Sequence, residues 1–388
     1  MGLRRAIGIL LSRKSSLVVL AVAAAYSMNF FYAVWLVSVA VDRSVELGSL
    51  AAMVLMLPMT LLAFPLGWLS DLVGRRGVLL GAVACNVVVV ASPTLSRGML
   101  TSWLIAALLL TGVSNAAWSA VGVASVIDSV NERSQLIAHR RIVVLGFGID
   151  GGKLAAAGVL ILAEPGHLML VRIITTLLSL VMVSGAAIKA GGSARAVPAQ
   201  TTLHRKSVWL LMFIFAGALA VQELSGTQQA GMVAIAGVVS SQGAAMANFT
   251  WVLGALLGNG MLLLIAPLNT RYLLVSFVVY GAGFMFLATG GASAIAGIFL
   301  NGVGAALLWQ TVRATVIRDF PERYRGRFTG IVGAIENVAM ALGTVLILHG
   351  AAIWGYRLVF AGSTVLVLFT IIPVVLTMRA PASVRYEG

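Results

Sequence analysis

The chain has 388 residues, of which 60% are hydrophobic and 10% are charged, with a formal net charge of +14. Its mean hydropathy is +1.02. Soluble globular domains carry about 25% charged residues, so this composition excludes a water-soluble protein and makes the lipid bilayer the main solvent. The basic residues lie in short segments between apolar runs, which favours membrane topology over nucleic-acid binding as the origin of the charge.

The first apolar run starts like a secretory signal, with a basic beginning followed by Ala23-Ala24-Ala25. It continues to Val41, however, which is too long for a signal and predicts a retained first transmembrane helix. Eleven further runs of about 20 residues follow, without the alternation of a β-barrel. The twelve predicted spans are Leu17–Val41, Leu47–Leu69, Val78–Leu95, Leu100–Ile127, Ile142–Ala163, Leu168–Ile188, Val208–Ile235, Gly243–Ile265, Tyr272–Ala288, Ile295–Val316, Phe328–Leu348 and Leu358–Met378.

The longest polar stretch between spans divides the chain into six plus six. We predict an N-terminal six-helix bundle over residues 1–189, a cytoplasmic linker over 190–206 and a C-terminal six-helix bundle over 207–388. A short repeat, Arg-Lys-Ser, opens spans 1 and 7 and supports two related halves. Twenty of the 26 Lys and Arg residues fall on the side of the termini and the linker, and four on the other. This bias predicts a plasma-membrane protein with both termini in the cytoplasm.

The loop between spans 2 and 3 has the pattern G-x-x-x-D-x-x-G-R-R. Its fixed positions are Gly67, Asp71, Gly74, Arg75 and Arg76. Glycines allow two helices to approach closely and reverse tightly. Asp71 can cap the start of a neighbouring helix, and Arg75 can pair with a carboxylate. The candidate carboxylate for Arg75 is Asp128, at the cytoplasmic end of span 4.

This loop resembles the signature between helices 2 and 3 of the major facilitator superfamily of secondary transporters. The segment Asp319–Arg327 also resembles the loop that precedes helix 11 in that family. The resemblance implies an all-α fold of two pseudo-symmetric six-helix bundles that alternate access to a central cavity. It also implies that the loop is a latch that helps hold the outward-open state. The matching loop of the second half, Pro267–Arg271, is degenerate. Two departures from the family pattern are Gly112–Asn115, where proton-coupled members carry an arginine, and span 5, which has glycines at 146, 148, 151 and 152 without the Gly-Pro pair of the antiporter signature.

Charged residues inside the spans are the main functional candidates, because a charge in the bilayer is costly. Asp150 and Lys153 are three residues apart and share a helical face. They are either a structural ion pair or a pair that substrate or a proton breaks. Glu336 either pairs with Arg313 or carries a proton. Glu223 is a third proton-coupling candidate, although it is also placed to lie near the outer surface.

Aromatic and amide side chains in the spans are candidates for a substrate cavity. Such groups suit an amphipathic or apolar substrate, although they can equally face lipid or neighbouring helices. The candidates are Tyr26, Asn29, Tyr32, Lys153, Gln222 and Asn337.

Together these patterns predict a monomeric secondary transporter that takes a small-molecule substrate. The first hypothesis is proton-coupled export, by antiport, of a small amphipathic or hydrophobic compound. One alternative is an importer or uniporter of a polar metabolite or organic anion held by Lys153. Another is a non-transporting receptor or scaffold. No nucleophile–base arrangement indicates an enzyme, and the lone cysteine and scattered histidines predict no disulfide, metal or cofactor.

Overall fold

The fold is known from a computed structural model, which describes residues 18–19, 22–27, 29, 36, 40, 45–91, 101–129, 135–162, 173, 177, 241–265, 271–319 and 325–379. Within these ranges the backbone is helical except at the turns of Gly74 and Gly290-Gly291 and at a break within the last helix. Some side chains on these helices lie outside the description, among them Asp128, Arg313 and Glu336. The interdomain linker and span 7 also lie outside it.

Nine α-helices are described, together with short helical pieces of spans 1 and 6. Their bounds are α1 (Val45–Val73), α2 (Arg75–Ala91), α3 (Thr101–Ala117), α4 (Val123–Ser129), α5 (Gln135–Leu162), α6 (Ser241–Ile265), α7 (Arg271–Thr289), α8 (Ala292–Asp319) and α9 (Arg325–Arg379). A π-helical turn, Trp118–Gly122, joins α3 to α4. Helix α9 contains predicted spans 11 and 12, separated at Gly355, whose φ of 76° interrupts the helical backbone.

The surface of these helices is apolar, as lipid requires. Four described stretches are long and apolar enough to cross a membrane: Met53–Val73, Thr101–Val126, Tyr272–Thr289 and Ala292–Thr311. Large hydrophobic side chains such as Met53, Leu264 and Ile353 point outward. Trp68, Trp103 and Trp354 are exposed near helix ends, where indole rings favour the membrane–water interface. The chain is therefore an integral membrane protein, while the count of twelve spans stays a prediction.

The described helices before the linker, the first span and α1–α5, form one set, and α6–α9 after it form the other. Each set has its own apolar core. Before the linker, the first span packs with α2, the π turn and α5 around Trp118. After the linker, α7, α8 and α9 pack around Phe277, Phe284 and Phe360. The pair Gly254 and Gly258 lets α6 touch the backbone of α8, because a Cβ on Gly258 would lie 2.8 Å from the Val303 carbonyl oxygen.

In the described part of the chain, the two sets meet mainly in two regions. Helix α1 packs along α9, and α5 packs against α6 and α8. In the second contact, Val143 of α5 is buried against Leu262, Val303 and Leu307. Both regions carry polar groups at the contact, and these groups form the two candidate sites.

Candidate functional site

The first site is the loop that joins α1 to α2. Helix α1 ends at Val73, Gly74 adopts a φ of 95°, and α2 begins at Arg75. The Gly74 N–H donates to the Ser70 carbonyl oxygen at 3.1 Å, which caps the end of α1. A left-handed glycine is the usual residue for this cap. The reversal therefore takes a single residue, which fixes α1 and α2 as one hairpin.

Asp71 is the central residue of this loop. One carboxylate oxygen lies 2.6 Å from Nη1 of Arg75. The other accepts the backbone N–H of Arg327 at 3.1 Å and lies 3.7 Å from Nε of the same arginine. Since α9 begins at Arg325, Asp71 caps the start of a helix from the other side of the linker. The side chain of Asp71 is only 6% exposed, so this carboxylate is a buried, charge-assisted bridge between the two sets of helices.

The pairing of Arg75 with Asp128 stays a prediction, because the side chain of Asp128 lies outside the described residues. Among the described side chains, Arg75 contacts the carboxylate of Asp71, in the last turn of α1. Arg75 also donates to the hydroxyl of Ser70, while Arg76 is half-buried.

Small residues bring the backbones of α1 and α9 together next to this bridge. A Cβ on Gly67 would collide with the Gly326 carbonyl oxygen, and one on Gly330 would lie 2.6 Å from the Ala63 carbonyl oxygen. Farther along the pair, the amide nitrogen of Asn337 donates to the Met59 carbonyl oxygen at 3.2 Å. It also donates to an oxygen of its own helix. Asn337 thus joins two helices in addition to being a cavity candidate.

A third contact to α9 comes from the π turn. The hydroxyl of Thr329 donates to the Ala120 carbonyl oxygen at 2.9 Å. That oxygen also accepts the backbone N–H of Val123. π turns are frequent at functional positions of helices, and this one faces the other set of helices.

The second site surrounds Asp150 on α5. Its Oδ2 accepts a hydrogen bond from Nδ2 of Asn259 on α6 at 2.8 Å. Its Oδ1 lies 3.8 Å from Nζ of Lys153, one turn along the same helix. Asn259 is fully buried and Asp150 is 8% exposed. Gln310 of α8 lies beside them, since a Cβ on Gly146 would collide with its amide.

Lys153 lies between two aromatic rings. Its Nζ is 5.8 Å from the ring centroid of Tyr26 in the first span and 5.5 Å from that of Trp251 in α6. Both distances are in the range of cation–π attraction. The first span comes close because Gly152 has no side chain to hold Ser27 away. The hydroxyl of Ser27 donates to the Ile149 carbonyl oxygen at 2.8 Å.

Asn29 belongs to a separate polar chain within the first set of helices. Its amide nitrogen donates to the Ser114 hydroxyl at 2.9 Å, and its oxygen accepts from Asn86 at 2.8 Å. The structure thus brings Tyr26, Asp150 and Lys153 together and places Asn29 elsewhere. Of the other predicted residues, Tyr32, Gln222 and Glu223 lie outside the description. Glu336 is described only as a backbone position in α9.

Sequence reasoning missed Trp251, Asn259 and Gln310. The available signal was an amide or an indole within an apolar run, since buried polar groups in membranes are rare. That signal marks a residue without indicating its partner. The partner follows only from the packing of α6 and α8 on α5.

No family model matches the sequence. The structure, in contrast, is similar to solved transporters. The human organic anion transporter MFSD10 (TETRAN) matches with a TM-score of 0.77 and 15% identity, over 93% of this chain and 99% of that one. A bacterial homologue of the iron transporter ferroportin, in an outward-facing state, matches with a TM-score of 0.71 and 16% identity. That match covers 95% of this chain and all of that one.

These matches cover nearly the whole chain, so its fold is that of major facilitator transporters. The fold predicted from the Gly67–Arg76 loop is thereby confirmed. The identities are low, and the substrates named for the two neighbours are properties of those proteins.

Proposed function

We propose that this protein is a secondary active transporter that works by alternating access and couples the export of a small amphipathic or hydrophobic compound to protons. The observation that carries the proposal is the bridge from Asp71 to Arg75 and Arg327. It joins the two sets of helices through polar contacts at the end of α1.

Alternating access requires contacts between the halves that close one side and can be broken. The Asp71 bridge and the Asp150–Asn259 hydrogen bond both have this character, because a polar contact can exchange its partner for water. If the contact were purely apolar, opening it would expose buried apolar surface to water, with no exchange of hydrogen-bond partners in return. The Asp71 bridge lies between α1 and α9, and the Asp150–Asn259 bond lies between α5 and α6. They support a state in which the end carrying the Gly67–Arg76 loop is closed, which is outward-facing if that end is cytoplasmic.

Proton coupling rests on the buried carboxylate of Asp150. Within a bilayer an ionisable side chain is a functional candidate by default, and this one bonds a helix of the other set. Protonation would remove its charge and change that contact. Glu223 and Glu336 stay proton-coupling candidates predicted from the sequence.

A second candidate is transport of an organic anion. It is favoured by the position of Lys153 between Tyr26 and Trp251, and by the similarity to a protein described as an organic anion transporter. For this candidate, import is the alternative to export, and uniport is the alternative to proton coupling.

The proposal can be tested with purified protein in liposomes that contain a pH-sensitive dye. The panel would be tetraphenylphosphonium, benzoate and glucose, each applied with and without a pH gradient. We expect substrate-dependent proton movement that is lost in Asp150→Asn, Glu223→Gln or Glu336→Gln, or in a combination of them.

pH-dependent transport that survives neutralisation of all three acids would overturn proton coupling through these residues. Flux without proton movement would indicate a uniporter. No flux of any compound would favour the receptor or scaffold alternative. Arg357→Gln, which changes an exposed charge on α9, is a matched control.

A further inference from the structure

The ammonium group of Lys153 is placed to receive a ligand from both sets of helices. Among the described contacts, its Nζ lies 3.8 Å from a carboxylate oxygen of Asp150 and faces one aromatic ring from each set. The side chain is 13% exposed, so it is enclosed without being sealed. A lysine ammonium has three N–H donors and no acceptor, so its natural ligand is an anion.

Asp150 does not depend on Lys153 alone. Its other oxygen is bonded by Asn259, a neutral donor on a different helix. The amide oxygen of Asn259 is buried and accepts no hydrogen bond within the described part of the chain. A protonated Asp150 would have an O–H to donate, and this oxygen belongs to the amide that already bonds Asp150. A carboxylic acid facing a primary amide can form both hydrogen bonds at once.

The groups that face Asp150 limit the charge that the site can hold. Among the described side chains, the neighbour on its own helix is Lys153, and the first span contributes the phenol of Tyr26 beside that lysine. Helices α6 and α8 contribute Asn259, Trp251 and Gln310, which carry no charge. With an ionised Asp150 and a protonated Lys153, this pair has no net charge.

A ligand anion on Lys153 would put a second negative charge beside Asp150. Like charges a few ångströms apart repel strongly where water is scarce. A proton on Asp150 removes that repulsion and uses the vacant acceptor on Asn259. A ligand cation would instead have to displace Lys153 from both rings and leave two positive charges together.

From this geometry we propose that Lys153 binds the carboxylate of a planar organic anion between Tyr26 and Trp251, and that one proton from solvent binds Asp150 together with the anion. This deepens the second candidate function, transport of an organic anion, on which its physiological meaning rests, because a proton that binds together with the anion crosses the membrane in the same direction. The two rings match an aromatic or otherwise planar ligand body, since ring pairs favour stacked and edge-to-face contacts.

Binding to the full chain in detergent or nanodiscs tests the site without requiring transport. Calorimetry with benzoate, at pH 5.5 and pH 7.5, gives the affinity and the protons taken up. Benzylamine and benzyl alcohol are probes of the same shape with other charges. We expect benzoate to bind at least tenfold more tightly than either, more tightly at pH 5.5, and with uptake of up to one proton at pH 7.5.

The direction of the pH dependence follows from the linkage between proton binding and anion binding. If bound protein holds one more proton than free protein, affinity for the anion rises as pH falls. In Asp150→Asn the neutral side chain replaces the protonated acid, so benzoate binding should persist and its pH dependence should disappear. Stronger benzoate binding at pH 7.5, or unchanged pH dependence in Asp150→Asn, would overturn the proton part of the proposal.

Lys153→Gln should abolish benzoate binding, while Lys153→Arg should keep it within about tenfold. Arg357→Gln removes the same charge from an exposed position and should bind as the unmodified protein does. Because Lys153→Gln also leaves Asp150 without its cation, Trp251→Leu provides a variant that changes no charge. It should weaken benzoate binding about tenfold. Unchanged affinity in both Lys153→Gln and Trp251→Leu would overturn the site.

The failure of this proposal is distinguishable from the failure of the proposed function. Lys153-dependent benzoate binding with no flux in liposomes would leave the site standing and remove transport. Flux of benzoate that is indifferent to Lys153→Gln would leave transport standing and remove the site.

Discussion

Asp150 and Asn259 are 109 residues apart in the chain and share a hydrogen bond of 2.8 Å. The acid belongs to α5 and the amide to α6, so the bond crosses from one set of helices to the other. Asn259 also donates to the Ala255 carbonyl oxygen of its own helix at 3.0 Å, which holds its side chain in place. The amide of Asn259 is therefore a neutral donor that is already held in position to bond a buried carboxylate.

Removing this donor should destabilise the protein. Asn259→Leu leaves a buried carboxylate oxygen without the amide partner, and hydrogen bonds to charged groups are worth about 1.5–3 kcal/mol. We expect a loss of that size in the free energy of unfolding measured by denaturant titration in mixed micelles. Thr250→Val on the same helix is the control, because Thr250 donates only within α6 in the described contacts. An equal effect of the two variants would contradict this assignment.

The close approach of α1 and α9 makes Gly67 intolerant of a side chain. Gly67→Ala would push its methyl group into the Gly326 carbonyl oxygen, and overpacking of this kind costs about 1–3 kcal/mol. Gly77→Ala is the matched variant ten residues later, where a Cβ meets no atom within 4 Å. There alanine should be neutral or stabilising by about 0.5–1 kcal/mol, because it is a better helix former. Thermal unfolding of the two variants checks the difference in sign.

Loss of the Asp71 charge should release the start of α9. In Asp71→Asn, Arg75 loses the carboxylate that it contacts in this buried site, and breaking a buried pair costs about 3–5 kcal/mol. The Arg327 N–H loses a charged acceptor as well. We expect faster amide hydrogen exchange over residues 325–333, measured by mass spectrometry. Arg357→Gln should leave exchange there unchanged, and a similar increase in that control would argue against a specific role for Asp71.

Gly355 divides α9 through a backbone conformation with φ of 76° and ψ of 154°. This region is essentially restricted to glycine, and forcing another residue into it costs about 1–3 kcal/mol. Gly355→Ala should therefore lower the unfolding free energy by that amount. Gly362→Ala, at a helical position with open space, should not. If Gly355→Ala is as stable as Gly362→Ala, the break is not required by the fold.

Local features of the sequence predicted much of the fold. The apolar runs correspond to α1, α2, α3 continued through the π turn and α4, α5, and the described helices after the linker, with ends that differ by up to seven residues. The two glycines and the acid of the α1–α2 loop predicted a tight, capped reversal. The spacing of Asp150 and Lys153 predicted that they share a face, because i and i+3 residues are neighbours on any helix.

Contacts between helices that are distant in the chain could not be predicted from the sequence. Nothing in the runs around Trp251, Asn259 or Gln310 indicates that α6 and α8 bring them to α5. Those neighbours arise from close backbone approaches such as Gly258 against α8. Likewise, Asn337 reads as a cavity residue, whereas its amide bonds the backbone of α1.

The π turn at Trp118–Gly122 has a consequence for the register of the membrane helix that contains it. A π turn accommodates one more residue than an α-helical turn does. The extra residue is therefore absorbed within the turn, and removing one residue there would restore a continuous α-helix with Val123–Ser129 close to their present orientation relative to Thr101–Ala117. Removing one residue from the regular α-helix of Thr101–Ala117 would instead rotate everything that follows by about 100°. A single-residue deletion in this helix should therefore be tolerated best at the π turn.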